Sequence, residues 1–600
     1  MLGRDALVDE VESALDAVAE ASCRLPVLFL TFSSAAWLAA GAVLALLASI
    51  QLYSPTFMEG CPWVTYGRLR PAAVNALVYG FALQASFALA FWLIVRLGRV
   101  TLDAPLVVTA AGKTWNLAVT VGVLGILAGD GTGFELLEFP RYAALGLFAS
   151  YACLAGWAIV TLHQRTERSL YVSLLFVLAG LLWFPWILST AHGFVIGWRP
   201  PGVVPAVVAG WFVQNLLQIV LTGSAFAVLF YFVPKTVNRP LVDKNFAQSG
   251  FWLLLLVGGW GGLSQIPSVP AWIPAVSGAA NYLVIVPVLV LLACLWQTAS
   301  GRIADAWKAS ATFRFLLAAT LVLVFITVRG ALLGGSITQF TFCAAARTEI
   351  VVLGVFGLAA LGALHHLAAR LTTGADDLPS EGLTVLAFWA AVLGVLGVGI
   401  GFSAAGFVQS GVHASATKDF LKDGIVAVAG QLKLVTAGYA ALTVAALAFL
   451  ANFGLAIRRA TRGDLTLSRP ARIVLVTVLV LCALAHLSKP WRRHHPLLFW
   501  PAWTQQVADL IGESGCGVVT PPQDAGALAD ALVRMEQDRE GTAEMGRKAR
   551  QLAETRFQRQ AQADKFVDVL ERVAERRDEQ ARKGMFGALR GLSGLGSSLG

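Results

Sequence analysis

The chain has 600 residues, of which 57% are hydrophobic and 14% are charged, and its formal net charge is +9. Soluble globular proteins carry charge on about a quarter of their residues, so this composition excludes an ordinary soluble domain and predicts a polytopic membrane protein. The seven cysteines lie far apart, with no CxxC or CxxCH motif, which excludes a zinc ribbon, a thiol redox pair and covalently attached haem.

The first 24 residues, MLGRDALVDEVESALDAVAEASCR, are acidic, with apolar residues near every third or fourth position. This spacing predicts a helix. A signal peptide would instead carry a basic start and a short apolar run, so residues 1–24 are interpreted as an acidic N-terminal helix.

Long apolar segments dominate the rest of the chain. A bilayer core of about 30 Å needs roughly 20 apolar residues per helix. Twelve segments meet this requirement, and a weaker thirteenth follows them: 26–52, 71–97, 105–128, 142–163, 170–191, 203–233, 246–266, 279–299, 311–334, 347–371, 382–409, 424–456 and 471–488. Most loop Lys and Arg residues, including Arg458 and Arg459, fall on one side, so the positive-inside rule places the N-terminus in the cytoplasm.

The composition changes after about residue 489. Residues 461–504 combine the extra span with a basic, aromatic junction, KPWRRHHPLLFWPAW, which is typical of a membrane interface. Residues 505–582 are charged, Ala-rich and helical in period, and residues 583–600 end in a Gly/Ser-rich tail that is predicted to be disordered.

Four stretches together resemble subunit I of the haem-copper oxidases, nearest to the C-family (cbb-type) cytochrome c oxidases. They are CPWVTYGRLRPAAVNALVYGF (61–81), WFVQNLLQIVLTGSAFAVLFYFVPKTVNRP (211–240), FWLLLLVGGWGGLSQI (251–266) and TQFTFCAAARTEIVVLGVFGLAALGALHHLAARL (338–371). The resemblance covers residues 25–460. It implies an all-α polytopic membrane protein of the bacterial inner membrane, with a 12-helix bundle of the subunit I type. Hydropathy and composition add one extra span and a small helical C-terminal tail to that bundle.

In that family, the second, sixth, seventh and tenth helices supply six histidines to two haems and one copper ion. Matched motif by motif, the RPxHxN, xHN, WxGxHH and HxH histidines fall on Ala73, Gln214, Ser264 with Gln265, and Arg347 with Glu349. All six are replaced. The resemblance and these residue types together predict that the chain holds no haem, no copper and no catalytic residue, although the predicted topology keeps all six positions in the outer half of the bilayer.

The eight histidines of the chain do not offer an obvious substitute. They are predicted at helix ends or in loops, so no facing pair exists in mid-membrane; they are His163, His192, His365, His366, His413, His486, His494 and His495. A metal site on the outer face from His192, His413, His494 and His495 is conceivable, with separate interfacial histidines as its alternative.

Four ionisable residues interrupt the apolar segments. Arg347 cannot act as a metal ligand because a guanidinium has no free lone pair. Arg347 and Glu349 are two residues apart on one helix, so each is expected to pair with another helix. They either form a polar cavity or ion-pair network, or lie solvated at the outer interface. Lys113 is expected to reach the inner interface, whereas Lys433 lies deeper and is a candidate for the bundle interior.

Residues 511–573 resemble the C-terminal end of GT-B fold glycosyltransferases, through IGESGCGVVTPPQDAGALADAL and MGRKARQLAETRF. The acceptor lobe and the residues that hold the sugar nucleotide have no counterpart in this chain. The segment is therefore interpreted as a non-catalytic remnant, with simple amphipathic helices as the alternative.

The leading hypothesis is a degenerate subunit I homologue, free of haem and copper, that acts as a non-catalytic subunit of a respiratory or electron-transfer complex. Its partners would be the lipid bilayer and other membrane subunits or cytochromes, and no nucleic acid. Two alternatives stay open: an active oxidase or reductase with unusual ligation, and a transporter or proton-conducting protein that uses Lys113, Lys433, Arg347 and Glu349.

Overall fold

The computed structural model describes residues 4–58, 60–167, 169–198, 202–264, 269–333, 338, 341–415, 420–460, 511–520 and 525–556. The predicted extra span at 471–488, the junction at 461–504 and the tail at 583–600 lie outside these residues, as do Gln265, His494 and His495. The chain divides into two units, Met1–Ala471 and Arg472–Gly600.

The first unit is built from twelve long helices, and the described residues contain no β-strand. The helices are α1 (Arg4–Gln51), α2 (Tyr66–Gly98), α3 (Pro105–Ala128), α4 (Arg141–His163), α5 (Val172–Gly197), α6 (Val204–Val237), α7 (Lys244–Gly258), α8 (Trp272–Ala299), α9 (Ala311–Leu333), α10 (Phe342–Thr373), α11 (Glu381–His413) and α12 (Phe420–Ala460). Short helices at Pro62–Val64 and Ile303–Ala309 lie between them. In the second unit, α13 (Ala525–Gln537) and α14 (Arg539–Arg556) are described.

Eleven of the twelve helices are long and apolar enough to cross a membrane, which confirms the all-α, multi-pass fold. The exception is α7, which has 15 residues, whereas the hydropathy of this region predicts a span over 246–266. At 1.5 Å per residue, α7 is about 22 Å long and falls short of a bilayer core. It ends where the chain reads GGWGG, and Gly262 adopts a left-handed φ of +85°. This glycine-rich run, apolar though it is, favours a turn over a helix.

The predicted N-terminal helix at 1–24 and the first predicted span are one continuous helix, α1, which passes through Pro26. Several other helices also extend beyond their predicted apolar cores; α11, for example, begins at Glu381 and ends at His413. Polar caps set such ends: the Ser380 hydroxyl accepts a hydrogen bond from the Leu383 amide at 3.3 Å.

Three helices, α2, α6 and α10, form the centre of the bundle. In their most apolar stretches 94%, 83% and 100% of the residues are buried, compared with 33–56% in the other spans. These are the helices that carry Ala73, Gln214, Arg347 and Glu349. The candidate positions therefore lie in the most enclosed part of the molecule.

Helices α11 and α12 approach each other closely through glycines. A Cβ atom placed on Gly438 would lie 2.6 Å from the Val398 amide nitrogen and 2.8 Å from the Gly394 carbonyl oxygen. Small residues at a helix interface allow such close packing within a membrane. This contact fixes α12, whose Tyr439 reaches the candidate site.

Candidate functional site

The central helices change their winding next to the candidate positions. A π-helical segment begins at Ala76 in α2, at Leu216 in α6 and at Ile350 in α10. Each segment starts within three residues of Ala73, Gln214 or Glu349. π-Helical turns are rare in proteins and occur frequently at functional sites. In each of the three helices, a π-helical segment therefore begins just after the candidate ligand position.

Gln214 is buried and uses both ends of its amide. Its Nε2 donates to the Gly258 carbonyl oxygen at 2.7 Å, and its Oε1 accepts a hydrogen bond from Arg347 Nη2. The adjacent Asn215 donates from Nδ2 to the Gly259 carbonyl oxygen at 3.1 Å. Carbonyl groups at a helix end have no partner within the helix. The side-chain amides of Gln214 and Asn215 therefore donate hydrogen bonds to the carbonyl groups at the C-terminal end of α7.

Glu349 is 2% exposed and forms an ion pair with Arg70 on α2, with 2.6 Å between Oε1 and Nη1. The same Arg70 nitrogen donates to the Tyr439 hydroxyl at 2.9 Å, and the guanidinium lies 5.4 Å from the centre of the Phe402 ring. A buried charge is tolerated when it is paired and hydrogen-bonded. Arg70 meets both conditions, whereas Glu349 Oε1 has the ion pair alone. Helices α2, α10, α11 and α12 meet at this cluster.

Arg347 and Glu349 thus pair with different helices, as their two-residue spacing predicts. Between them, the Thr348 hydroxyl donates to Glu135 Oε1 at 2.8 Å, which ties α10 to the loop between α3 and α4. Three successive residues of α10 therefore contact three separate parts of the protein.

The loop between α3 and α4 also forms hydrogen bonds with residues of α2 that follow Ala73. Asn75 Nδ2 donates to Glu138 Oε2 at 2.7 Å, and the Tyr79 hydroxyl donates to the Leu136 carbonyl oxygen at 2.7 Å. Burial raises the pKa of the Glu138 carboxyl to about 8, because removal of water disfavours the charged form. Ala73 itself is fully buried and offers no ligating atom.

A small cavity of about 60 Å³ adjoins the polar cluster. Helices α6, α8, α9 and α10 contribute its polar lining: Gln214, Gln218, Thr222, Asn281, Thr327, Arg329 and Arg347. Arg329 is 8% exposed, and its Nη2 donates to the Cys343 carbonyl oxygen at 2.9 Å. Two guanidinium groups therefore face one cavity.

The other predicted residues lie apart from this network. Ser264 is half-buried, and its hydroxyl accepts a hydrogen bond from Asn281 Nδ2 at 3.4 Å. Lys113 and Lys433 are exposed, so the structure does not place Lys433 in the bundle interior. The long side chain of a lysine can extend along a helix to the membrane surface, which explains both positions.

Four further residues belong to the site although no sequence pattern indicates them: Arg70, Arg329, Tyr439 and Glu138. Arg70 belongs to the GRLRPAAVN sequence, where its position before an apolar segment favours a loop cation. The available signal was Glu349, an intramembrane acid that requires a cation. Glu138 lies in the segment GTGFELLEFP, and no periodic pattern indicates that its side chain is buried.

The donor atoms at the six candidate positions do not suit haem or copper. An axial haem ligand is usually an imidazole, and copper prefers imidazole or sulfur, whereas the described positions hold Ala73, Gln214, Ser264, Arg347 and Glu349. Within the described part of the chain, no group of three or more His, Cys, Asp or Glu residues is arranged to hold a metal ion. The side chains present do not fit the family's cofactors.

The buried histidines lie elsewhere. His365 is 16 residues after Glu349, or about 24 Å along α10. Its Nδ1 is 2.7 Å from the Leu361 carbonyl oxygen, and the ring packs against Phe315 and Phe449. His366 Nε2 is 2.9 Å from Lys235 Nζ. The other ring nitrogen of His365, Nε2, is buried without a hydrogen-bond partner among the described residues. The contacts with Leu361, Phe315, Phe449 and Lys235 make the histidine pair part of the packing of the bundle.

Comparisons with known proteins agree with the architecture. The model of the family described as "Cytochrome C and Quinol oxidase polypeptide I" matches residues 26–422. The Cbb3-type cytochrome c oxidase subunit CcoN1 of Stutzerimonas stutzeri is 25% identical over 383 residues, which is 60% of this chain and 78% of the relative. The bacteroid cytochrome c oxidase subunit 1 homolog of Bradyrhizobium diazoefficiens is 24% identical over 400 residues, which is 62% of this chain and 70% of the relative.

Among solved structures, a heme-copper terminal oxidase dimer determined by cryo-EM matches with a TM-score of 0.55. The match covers 74% of this chain and 84% of the other, at 12% sequence identity. At this identity the likeness establishes a common fold.

Proposed function

Because the chain belongs to the cytochrome c and quinol oxidase polypeptide I family, we propose that it is a subunit I-like membrane protein that has lost its haem and copper sites. In their place it carries a hydrogen-bonded and ion-paired network. It acts as a non-catalytic subunit of a respiratory or electron-transfer complex in a bacterial inner membrane, with its N-terminus in the cytoplasm.

The observation that carries this proposal is the pairing of Arg347 with Gln214 and of Glu349 with Arg70. Arg347 donates to Gln214 and Gln214 donates to the Gly258 carbonyl oxygen, while the Glu349 carboxylate is ion-paired with Arg70. A vestigial pocket that only lacked histidines would instead be lined by small or unpartnered residues. The network is therefore a replacement structure, and its role is to hold α2, α6 and α10 together.

The experiment is an absorption spectrum with metal analysis on the detergent-purified full chain, produced in a haem-replete host. The expected result is no Soret band and no stoichiometric iron or copper. CcoN1, expressed and purified in the same way, serves as the positive control. Stoichiometric b-type haem or copper in this chain would refute the proposal and favour an active oxidase with unusual ligation.

A complex with other subunits is the second part of the proposal. Purification from the native membrane under mild detergent is expected to recover the chain with a haem-containing partner, detected by haem staining of the separated subunits. Recovery of the chain as an isolated, haem-free monomer would contradict the role as a complex subunit.

A second candidate function is transport through the vacated space. The cavity lined by Arg329 and Arg347 favours this candidate over proton conduction through Lys113 and Lys433, because both lysines are exposed. Residues 511–573 stay a proposed non-catalytic remnant of a glycosyltransferase. Sugar-nucleotide hydrolysis by the purified chain would contradict that interpretation.

A further inference from the structure

The cavity between α6, α8, α9 and α10 carries an imbalance of charge. Arg329 and Arg347 both line it, and no Asp or Glu residue belongs to its lining. A guanidinium is always charged in proteins. Two cations in one enclosed space within a membrane require compensation by anions, hydrogen bonds or water.

The protein itself compensates these charges only in part. Arg347 donates to the neutral amide of Gln214, and Arg329 donates to the Cys343 carbonyl. Arg329 Nε is buried and has no hydrogen-bond partner among the described residues. Glu135 attracts Arg347 from the loop between α3 and α4, but its carboxylate accepts from Thr348 and does not line the cavity.

Neutral donors complete the lining. Gln218 and Asn281 contribute side-chain amides, whose N–H groups can donate to an anion. The Thr222 and Thr327 hydroxyls already donate to the Leu217 and Leu323 carbonyl oxygens, at 2.9 and 2.7 Å, so each presents an acceptor to the cavity. The arrangement is dominated by donors, which is the arrangement that an anion requires.

We propose that this cavity binds one small planar oxyanion of the nitrate or carboxylate type between Arg329 and Arg347. The rigid fork of a guanidinium matches planar oxyanions through two parallel hydrogen bonds. A cavity of about 60 Å³ has room for a few waters or one such ion, and it excludes a nucleotide or a phospholipid headgroup.

The position of the cavity allows the ion to enter from water. Arg329 lies four residues before the end of α9 at Leu333, and Arg347 lies five residues after the start of α10 at Phe342. Both arginines are therefore near one surface of the bundle. This inference rests on the proposed function, because a haem in the same space would exclude the ion.

The test is isothermal titration calorimetry of the full chain in detergent, at low chloride, with nitrate, formate and chloride as separate probes. Nitrate and formate are expected to bind saturably and about tenfold more tightly than chloride, because chloride cannot accept two parallel hydrogen bonds. Arg329→Gln is expected to weaken nitrate binding by about tenfold or more. Lys113→Gln removes one exposed charge of the same sign and is expected to leave the affinity unchanged.

Two further variants separate binding from folding. Arg329→Lys keeps the charge but removes the fork, so it is expected to reduce the preference for nitrate over chloride. Gln218→Leu changes no charge and is expected to weaken nitrate binding less than Arg329→Gln does. Each variant is compared with the original chain by gel filtration and thermal unfolding, so a variant that fails to fold is recognised.

Absence of saturable binding for all three probes up to about 50 mM would overturn the inference. Equal affinity for chloride and nitrate, or an Arg329→Lys variant that keeps the full nitrate preference, would overturn the assignment to planar oxyanions. The absorption spectrum of the same sample separates the two proposals. A haem-free protein that binds no anion refutes this inference alone, whereas a haem-containing protein refutes the proposed function as well.

Discussion

The ion pair between Arg70 and Glu349 provides a direct test of the polar network. Glu349→Gln keeps the size of the side chain and removes its charge, which leaves the Arg70 guanidinium with the Tyr439 hydroxyl and the Phe402 ring. Loss of one partner of a buried pair typically costs about 3–5 kcal/mol. Glu349 is 2% exposed but the Arg70 side chain is 17% exposed. Water can therefore relieve part of the unpaired charge, and we expect a loss of about 3 kcal/mol.

The assay is equilibrium unfolding in mixed detergent micelles, followed by tryptophan fluorescence. Arg70→Gln and the double variant complete a thermodynamic cycle, and the double variant is expected to be more stable than the sum of the single changes predicts, by about 1–3 kcal/mol. Lys433→Gln is the control: it removes an exposed charge, so its effect should stay within about 0.5 kcal/mol. An additive cycle, or a Glu349→Gln protein as stable as the original chain, would refute the reasoning.

Three more predictions use the same unfolding assay. Gly438→Ala is expected to lower the free energy of unfolding by about 1–3 kcal/mol because its Cβ would meet the backbone of α11. Gly454→Ala is the control, because a Cβ at that position meets open space and should leave stability unchanged or raise it. Equal effects of the two variants would contradict the close packing of α11 and α12. Tyr439→Phe removes the acceptor of the Arg70 hydrogen bond and should lower the free energy of unfolding by about 1.5–3 kcal/mol. An unchanged stability would show that water replaces the hydroxyl. The raised pKa of Glu138, about 8, means that the folded state binds more protons than the unfolded state between about pH 4.5 and 8, so stability should fall as the pH rises through this window. Glu138→Gln should flatten that fall, and an unchanged slope would refute the assignment.

The sequence predicted the bundle well because hydropathy measures what a bilayer selects, namely long apolar segments. It failed at α7, where FWLLLLVGGWGGLSQI is apolar along its whole length but ends its helix at Gly258. Hydropathy does not include the conformational preference of glycine, which decides where that helix stops.

The candidate site could be predicted in part. The two-residue spacing of Arg347 and Glu349 indicated partners on other helices, and this holds in the structure. The identity of those partners could not be predicted, because Arg347 and Gln214 are 133 residues apart in the chain. Glu138 was missed for the same reason: its burial depends on how a loop folds over α2, and no local pattern encodes that.

The π-helical segments of α2, α6 and α10 have a consequence for the register of these helices. One residue of an α-helix corresponds to a rotation of about 100°, and a π-turn accommodates an additional residue without continuing that rotation. The side chains before and after Ile350–Gly357 therefore follow different helical phases. Rewinding this segment as a uniform α-helix with all of its residues kept would turn Arg347 and Glu349 by about 100° relative to the apolar half of α10, whereas deletion of one residue would remove the π-turn and leave their phase unchanged. The π-turn is what lets the polar half and the apolar half of this one helix both face the interior despite the additional residue.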